Sequence, residues 1–493
     1  MHRSHTLAID QGTHMTRALL FDDTGQAVAT FTQKIALYPR SPTEVEQNPD
    51  EILSSVRQVI AEARRYAQKH ALMINRAGLA TQRSSVLAWD RKTGQALSPV
   101  LSWQDRRAAA WLSSFAPYAQ AIAQRTGLRL SPHYGVSKLQ WLRQTLSSVI
   151  RAEQQSRLAL GPLASFLLHH VLEEAPFVID HANAARTLLW NLTDCDWDPW
   201  LMQLFGIPPS ILPLCCPVRY EYGHLAGYGI PLTAVNGDQS AALFAATTLA
   251  ESRILVNIGT GAFILQPTGK TLYRHPRLLS GIADSHAAQT SYTLEGTVNN
   301  AGSALDWAGV HWHIPDVYQQ LEQGLMTIHE PPLFINSISG LGSPWWSEGS
   351  QPQLTDLEGN ALVSAPSVHI LVAVTESILF LIQANLEALT ETGNGHQHLV
   401  ISGGLAQSDA LCQKLANLSG LTVHRPVLVE ATARGIAWLA AGKPADWPVL
   451  QETCFWPCRE SDAQDSGLNG RYRRFLAILE KKIKDKGDFD RSE

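Results

Sequence analysis

Cysteine is scarce in this chain, with six among 493 residues, at positions 195, 215, 216, 412, 454 and 458. Cys454 and Cys458 lack a second Cys/His pair at zinc-like spacing, which argues against a metal knuckle; reduced thiols in a cytoplasmic protein are expected. Positive charge is not in excess. The formal net charge is -5, so no basic face awaits a phosphate polyanion, and nucleic acid is not an expected partner. No secretory leader is visible: Met1 to His5 run straight into an apolar segment at Leu7. The most apolar stretch, Ile370 to Ile382, is interrupted by Thr375, Glu376 and Ser377. It also falls short of the roughly 20 residues a bilayer span needs, so no membrane partner is expected. A P-loop is missing too. Thr268-Gly269-Lys270-Thr271 ends like one, but Ile264 stands where its first glycine belongs, and the run reads as hairpin turn chemistry.

What remains is an ordinary globular composition, 45% apolar and 17% charged, on a chain long enough for two or three domains. Leu7 to Thr32 reads as three strands joined by turns at Gln11-Gly12-Thr13 and Asp22-Asp23-Thr24-Gly25. Asn48-Pro49-Asp50 opens a helix along which Ile52, Val56, Ile60 and Ala63 recur at helical spacing. A strand at Ala77–Ala80, a hairpin from Val86 to Ser102, and helices over 104–126 and 137–152 continue the alternation. This pattern predicts an α/β architecture. Near the middle a second strand-turn-strand has Gly259-Thr260-Gly261 at its tip, a weak internal repeat that fits two related lobes with a cleft between them. Beyond it come a helix from about 368 to 392, a strand at His398–Ser402, Gly403-Gly404 and a helix over 408–419. The basic stretch from Arg471 to Lys486 reads as a solvated terminal helix.

Glycine at a hairpin tip lets backbone N–H groups approach anionic oxygens, so Gly12-Thr13 and Gly259-Thr260-Gly261 are candidate phosphate cradles. Asp10 closes an apolar strand, where a carboxylate needs a partner: a hydrated Mg²⁺ or a strand-end hydrogen-bond cap. Taken singly, these turns are ordinary turns, and an Asp after Gly at 238 is a turn residue.

In order along the chain, several blocks resemble the FGGY carbohydrate-kinase family, in a layout similar to glycerol kinase. They include Leu7-Ala8-Ile9-Asp10-Gln11-Gly12-Thr13 with Arg17, Thr81-Gln82-Arg83, Trp103-Gln104-Asp105-Arg106-Arg107 and Asn183-Ala184-Ala185-Arg186-Thr187. Gly237-Asp238-Gln239-Ser240, Gly259-Thr260-Gly261-Ala262-Phe263, Glu295-Gly296, Ala301-Gly302-Ser303 and Gly403-Gly404 continue the series, which spans about residues 5 to 442. The resemblance implies two actin-like ATPase lobes of ribonuclease-H type with an interlobe cleft. The first would cover 4–245 and the second 252–442, followed by a tail over 451–493. It implies ATP and Mg²⁺, a small polyol or sugar as substrate, and Asp238 as catalytic base. Asp10 would sit by the metal. Gly12, Thr13, Arg17, Gly259, Thr260, Gly261, Gly302, Gly404 and Ser408 would meet the nucleotide. Arg83, Ser84, Trp103, His133, Tyr134, Asp238, Gln239 and Phe263 would form the acceptor pocket. Homo-oligomerisation is left open.

The chain departs from that pattern at several positions. Ser84 replaces a glutamate, His133 stands at a tyrosine position that neighbouring Tyr134 can fill by a small shift, and Asp306 replaces a glutamine. His14-Met15-Thr16 replaces small hydroxyl residues, leaving Thr16 as a phosphate contact. A shorter, uncharged Ser84 leaves room for an acceptor bulkier than glycerol. Two other readings use the same fold: a catalytically weak sugar sensor, and an actin-like or chaperone ATPase acting on proteins. Retained Asp10 and Asp238 disfavour the first, and the Arg83, Trp103 and Asp238 blocks disfavour the second.

Overall fold

The computed structural model describes residues 4–245, 253–393, 398–427, 430–448, 450–458 and 467–485. Two sheets built on one plan dominate it. In the first, Ala27–Lys34, Met15–Phe21 and Ser4–Gln11 run antiparallel in sequence. Met73–Thr81 and Ile230–Gly237 then add in parallel, and Arg219–Leu225 closes the edge antiparallel. The second repeats this order with Gln289–Val298, Ala262–Gly269 and Arg253–Ile258, then His398–Ser402 and Thr422–Pro426 in parallel, then Glu452–Phe455 antiparallel. An extra strand, Leu279–His286, flanks it. The weak internal repeat in the sequence is thus a duplicated two-lobed α/β fold, each lobe with its own apolar core.

Local chemistry explains the elements. Asn48 accepts hydrogen bonds from the Asp50 and Glu51 amides, Pro49 fills the first turn, and Ile52, Val56, Val59, Ile60 and Ala63 of Pro49–Lys69 are buried against the first sheet. The segment read as one helix over 104–126 is broken into Ala109–Ser113, a short turn at Ala116–Tyr118 and Ala119–Thr126, because Pro117 cannot continue a helix. The segment read as 137–152 divides at Leu146, whose backbone is extended between Gly135–Thr145 and Ser147–Gln154. A five-stranded sheet inserted in the first lobe, including Val86–Asp90 and Val100–Leu101, carries the loops bearing Arg83 and Trp103.

The helix Ser367–Thr390 is longer than the apolar stretch suggested, and by length and composition it alone among the described residues could cross a membrane. It is instead buried on nearly every face in the second core.

The tail is a correction. Glu452–Phe455 joins the second sheet, and the helix Leu468–Asp485 buries Leu468, Tyr472, Phe475, Leu479 and Ile483. These recur every three or four residues, a stripe that the surrounding Lys and Arg residues mask in a charge-based reading. Arg471, 1% exposed, donates through Nε and Nη2 to Glu376 at 2.9 and 2.7 Å, and Glu376 also pairs with Lys414.

The helix Ala431–Ala440 lies in the stretch expected to belong to the second lobe, yet its Ala433, Ile436 and Ala437 pack in the first core. Its buried Arg434 donates to three main-chain carbonyls, those of Gly25, Ala245 and Pro448. Burial lowers this guanidinium to about 10.

Candidate active site

Asp238 opens a five-residue helix, Asp238–Ala242, directly after the strand Ile230–Gly237. The Gln239 amide donates to its Oδ1 at 2.7 Å, and Arg83 Nε lies 3.6 Å from the same oxygen. Oδ2 has no hydrogen-bond donor among the described residues. The side chain keeps 26% of its surface open. Burial raises its proton affinity above the ordinary carboxylate range, with Arg83 opposing and Glu295 adding to the rise. Gly237 is required by contact: a Cβ there would stand 2.6 Å from Cγ and Cδ of Arg83, whose stem crosses that backbone.

Arg83 is held from the second lobe. Its Nη1 and Nη2 donate to Glu295 at 2.9 and 3.3 Å, and Arg186 donates to the same carboxylate. Burial would raise Glu295, but Arg186 and Arg83 overcome it and hold the carboxyl at about 2. Phe263, also from the second lobe, lies with its ring centroid 6.0 Å from the Arg83 guanidinium. Gln239 accepts from Asn257 Nδ2 at 3.1 Å, which ties the Asp238 helix to the strand leading into Gly259.

The residues expected on the acceptor side assemble around Asp238 and Arg83. Trp103 Nε1 donates to Thr13 Oγ1 at 3.0 Å, and the edge of His133 meets Trp103 at a centroid distance of 5.6 Å. Burial, then Lys138 and Arg186, hold His133 well below its usual proton affinity, so the ring is neutral. Tyr134 is buried beside Arg186 and Arg83, its hydroxyl pushed up to about 12 by burial. Ser84 sits at φ 63 with 3% exposure, and its buried Oγ has no partner. Lys138, fully buried within Gly135–Thr145, donates to the carbonyls of Ser102 and His133 at 3.2 and 2.7 Å, and burial lowers it to about 7.

On the nucleotide side the first tip closes through the Gly12 amide donating to Met15 O, with Gln47 donating to Thr13 O. Arg17 lies 3.7 Å from Asp10 and 3.2 Å from Glu430. Thr16 is no phosphate contact, since it is fully buried and its hydroxyl bonds to Ser55. The second tip packs on the start of the helix Gly302–His311: the Gly302 amide donates to Gly259 O, and those of Ala301 and Ser303 to Thr260 O. Gly403, at φ 96, brings the Gly404 turn against Ile258. Gly259, Thr260, Gly261, Gly302 and Gly404 therefore converge. Ser408 uses its hydroxyl to cap Asp409–Ser419 and to bond Glu322, and Asp306 accepts from Tyr318 at 2.8 Å.

Asp10 is buried at its strand end. Burial and then Asp238 push it up to about 7, with Arg17 opposing. A buried carboxylate whose proton affinity is raised by a second carboxylate suits a divalent cation. No cluster of three or more His, Cys, Asp or Glu able to hold a metal occurs among the described residues; Mg²⁺ needs only one or two carboxylates beside phosphate oxygens.

Glu295, Arg186 and Lys138 complete the site without having been assigned a role from sequence. The first two lie in recognised blocks, but their pairing joins segments over 100 residues apart.

Comparison with known proteins shows the family and the fold. The N-terminal domain of the FGGY family of carbohydrate kinases matches residues 5–245 and its C-terminal domain matches 254–442. A glycerol kinase from Acinetobacter baylyi is 34% identical over 490 residues, covering 94% of this chain and 97% of that protein. A crystal structure of Plasmodium falciparum glycerol kinase with ADP superposes with a TM-score of 0.87 at 22% identity, covering 98% of each chain. A gluconate kinase from Lactobacillus acidophilus gives 0.82 at 18% identity, again over 98% of each.

Proposed function

The chain belongs to the FGGY family of carbohydrate kinases and is an ATP-dependent kinase, and from that premise we propose that it phosphorylates a hydroxyl of a small polyol or sugar with Asp238 as general base. One observation carries the reading. Asp238 has one oxygen bonded by the Gln239 amide and faced by Arg83, and the other without a donor among the described residues, between strand ends that lead to both glycine-bearing tips. An acceptor hydroxyl bonded to Oδ2 gives up its proton as its oxygen attacks the γ-phosphorus. A carboxylate with raised proton affinity suits that step near neutral pH. Asp10 would hold Mg²⁺, which when bound supplies charge neutralisation on the phosphates. The backbone N–H groups of the two tips, with Arg17, would orient the nucleotide.

The acceptor we infer is a polyol or ketose somewhat bulkier than glycerol. Ser84 takes less volume than a glutamate, and its unpartnered hydroxyl can donate to, or accept from, an additional substrate hydroxyl. Neutral His133 and Trp103 wall the other side.

The test is an ADP-release and thermal-shift screen across C3–C7 polyols, aldoses and ketoses, repeated with Asp238→Asn. Turnover should fall by about 10²–10⁴-fold while ligand-induced shifts persist. Undiminished turnover by that variant removes Asp238 from the chemistry. High selectivity for glycerol over larger acceptors overturns the pocket assignment.

A further inference from the structure

We propose that Glu295 is a positioning residue for phosphoryl transfer: from the second lobe it holds Arg83 in the one orientation that touches Asp238 through Nε alone. The proposal rests on Asp238 being the base.

Arg83 has a long, flexible stem and five N–H donors, so a lone carboxylate beside it would attract its whole fork. That does not happen at Asp238. Glu295 takes both terminal nitrogens of the guanidinium, at 2.9 and 3.3 Å, and leaves Nε 3.6 Å from Oδ1 of Asp238. The stem is confined against Gly237 and the guanidinium faces Phe263. Arg186 donates to Oε2 of Glu295, the oxygen that also takes Arg83 Nη1, and so braces the carboxylate from a second side chain. Without the Glu295 carboxylate, Arg83 is free to turn its fork onto Asp238 and cover the oxygen that must meet the acceptor.

Because Glu295 belongs to the strand Gln289–Val298 while Arg83, Arg186 and Asp238 belong to the first lobe, this constraint also ties the base to the relative placement of the two sheets. The charged groups acting on Asp238 are Arg83 and Arg186, which favour its ionised form, and Glu295, which opposes it; Asp10 faces it from the first strand.

The experiment compares pH profiles of kcat and kcat/KM for Glu295→Gln and Glu295→Asp with the unsubstituted enzyme, alongside thermal melts. Glu295→Gln should lose about 10²-fold in kcat through misplacement of the base. Its acid limb should move to lower pH, since a negative neighbour of Asp238 has gone. A lesion that merely loosens the fold lowers kcat and leaves that limb in place, and this outcome overturns the proposal, as does wild-type kcat. Should Glu295→Gln fail to fold, Glu295→Asp decides. It keeps the charge, so its limb should stay while kcat falls about ten-fold as the two-pronged grip shortens; unchanged kcat overturns the proposal. An active Asp238→Asn enzyme would remove the base assignment itself, whereas an inactive one beside a wild-type Glu295→Gln removes only the role of Glu295.

Discussion

Trp103 donates its indole N–H to the hydroxyl of Thr13 at 3.0 Å, so the proposed acceptor wall and the tip of the first glycine-bearing hairpin are joined directly. Trp103→Phe keeps the aromatic wall and deletes only this bond. A neutral hydrogen bond is worth about 1 kcal/mol net, so the KM values for acceptor and for ATP should each rise about five-fold. Initial-rate measurements with each substrate varied in turn check this; a change in the acceptor KM alone would mean the two parts act separately.

Lys138 makes a narrower prediction. Its Nζ donates to the Ser102 and His133 carbonyls, which flank Trp103 and the proposed pocket wall, and among the described residues it makes no hydrogen bond to either glycine-bearing tip. Lys138→Met should raise the acceptor KM about ten-fold, with kcat and the ATP KM little changed, the pattern expected when uniform binding is lost. Steady-state kinetics with both substrates is the check.

The C-terminal helix offers a stability test. Removing one partner of a buried ion pair costs about 3–5 kcal/mol, against under about 0.5 kcal/mol for a solvated surface residue. Arg471→Met should therefore fall in the first range by denaturant unfolding, because Glu376 would be left with Lys414 as its remaining ion-pair partner.

Acid sensitivity follows from Glu295. Its folded carboxyl sits at about 2, below the ordinary value of 4.5. The folded state thus binds fewer protons than the unfolded state between these values. The stabilisation is complete above pH 4.5 and is lost as pH falls toward 2. Melting temperatures recorded down the acid range should drop more steeply for the unsubstituted chain than for Glu295→Gln.

Much of this molecule is legible from its sequence because the decisive signals are local. Strand-turn-strand runs with Gly-Thr tips, the Asn48-Pro49 helix start and the Gly237-Asp238 junction each depend on a few adjacent residues. The duplicated sheet order follows from two such hairpins. What escaped was long-range or masked. Glu295 and Arg186 lie 109 residues apart, and nothing near either one announces an ion pair. Lys138 looks like a surface helix residue until burial is known. The apolar stripe from Leu468 to Ile483 has ordinary helical spacing, but the neighbouring basic side chains led a charge-based reading to solvent. Thr16 escaped for a related reason: its hydroxyl finds an internal partner in Ser55 that one-dimensional spacing does not display.

Arg434 adds a mechanical consequence. The chain departs from the first body after Ala245 and again after Pro448, and a single guanidinium grips the main chain at both points as well as at Gly25. One side chain thus anchors the main chain at both exits. Since the acceptors are carbonyl oxygens, the grip does not depend on the side chains of Ala245 and Pro448, whereas at Gly25 (φ 74) an added Cβ would strike Trp447, the ring over which the Arg434 guanidinium lies.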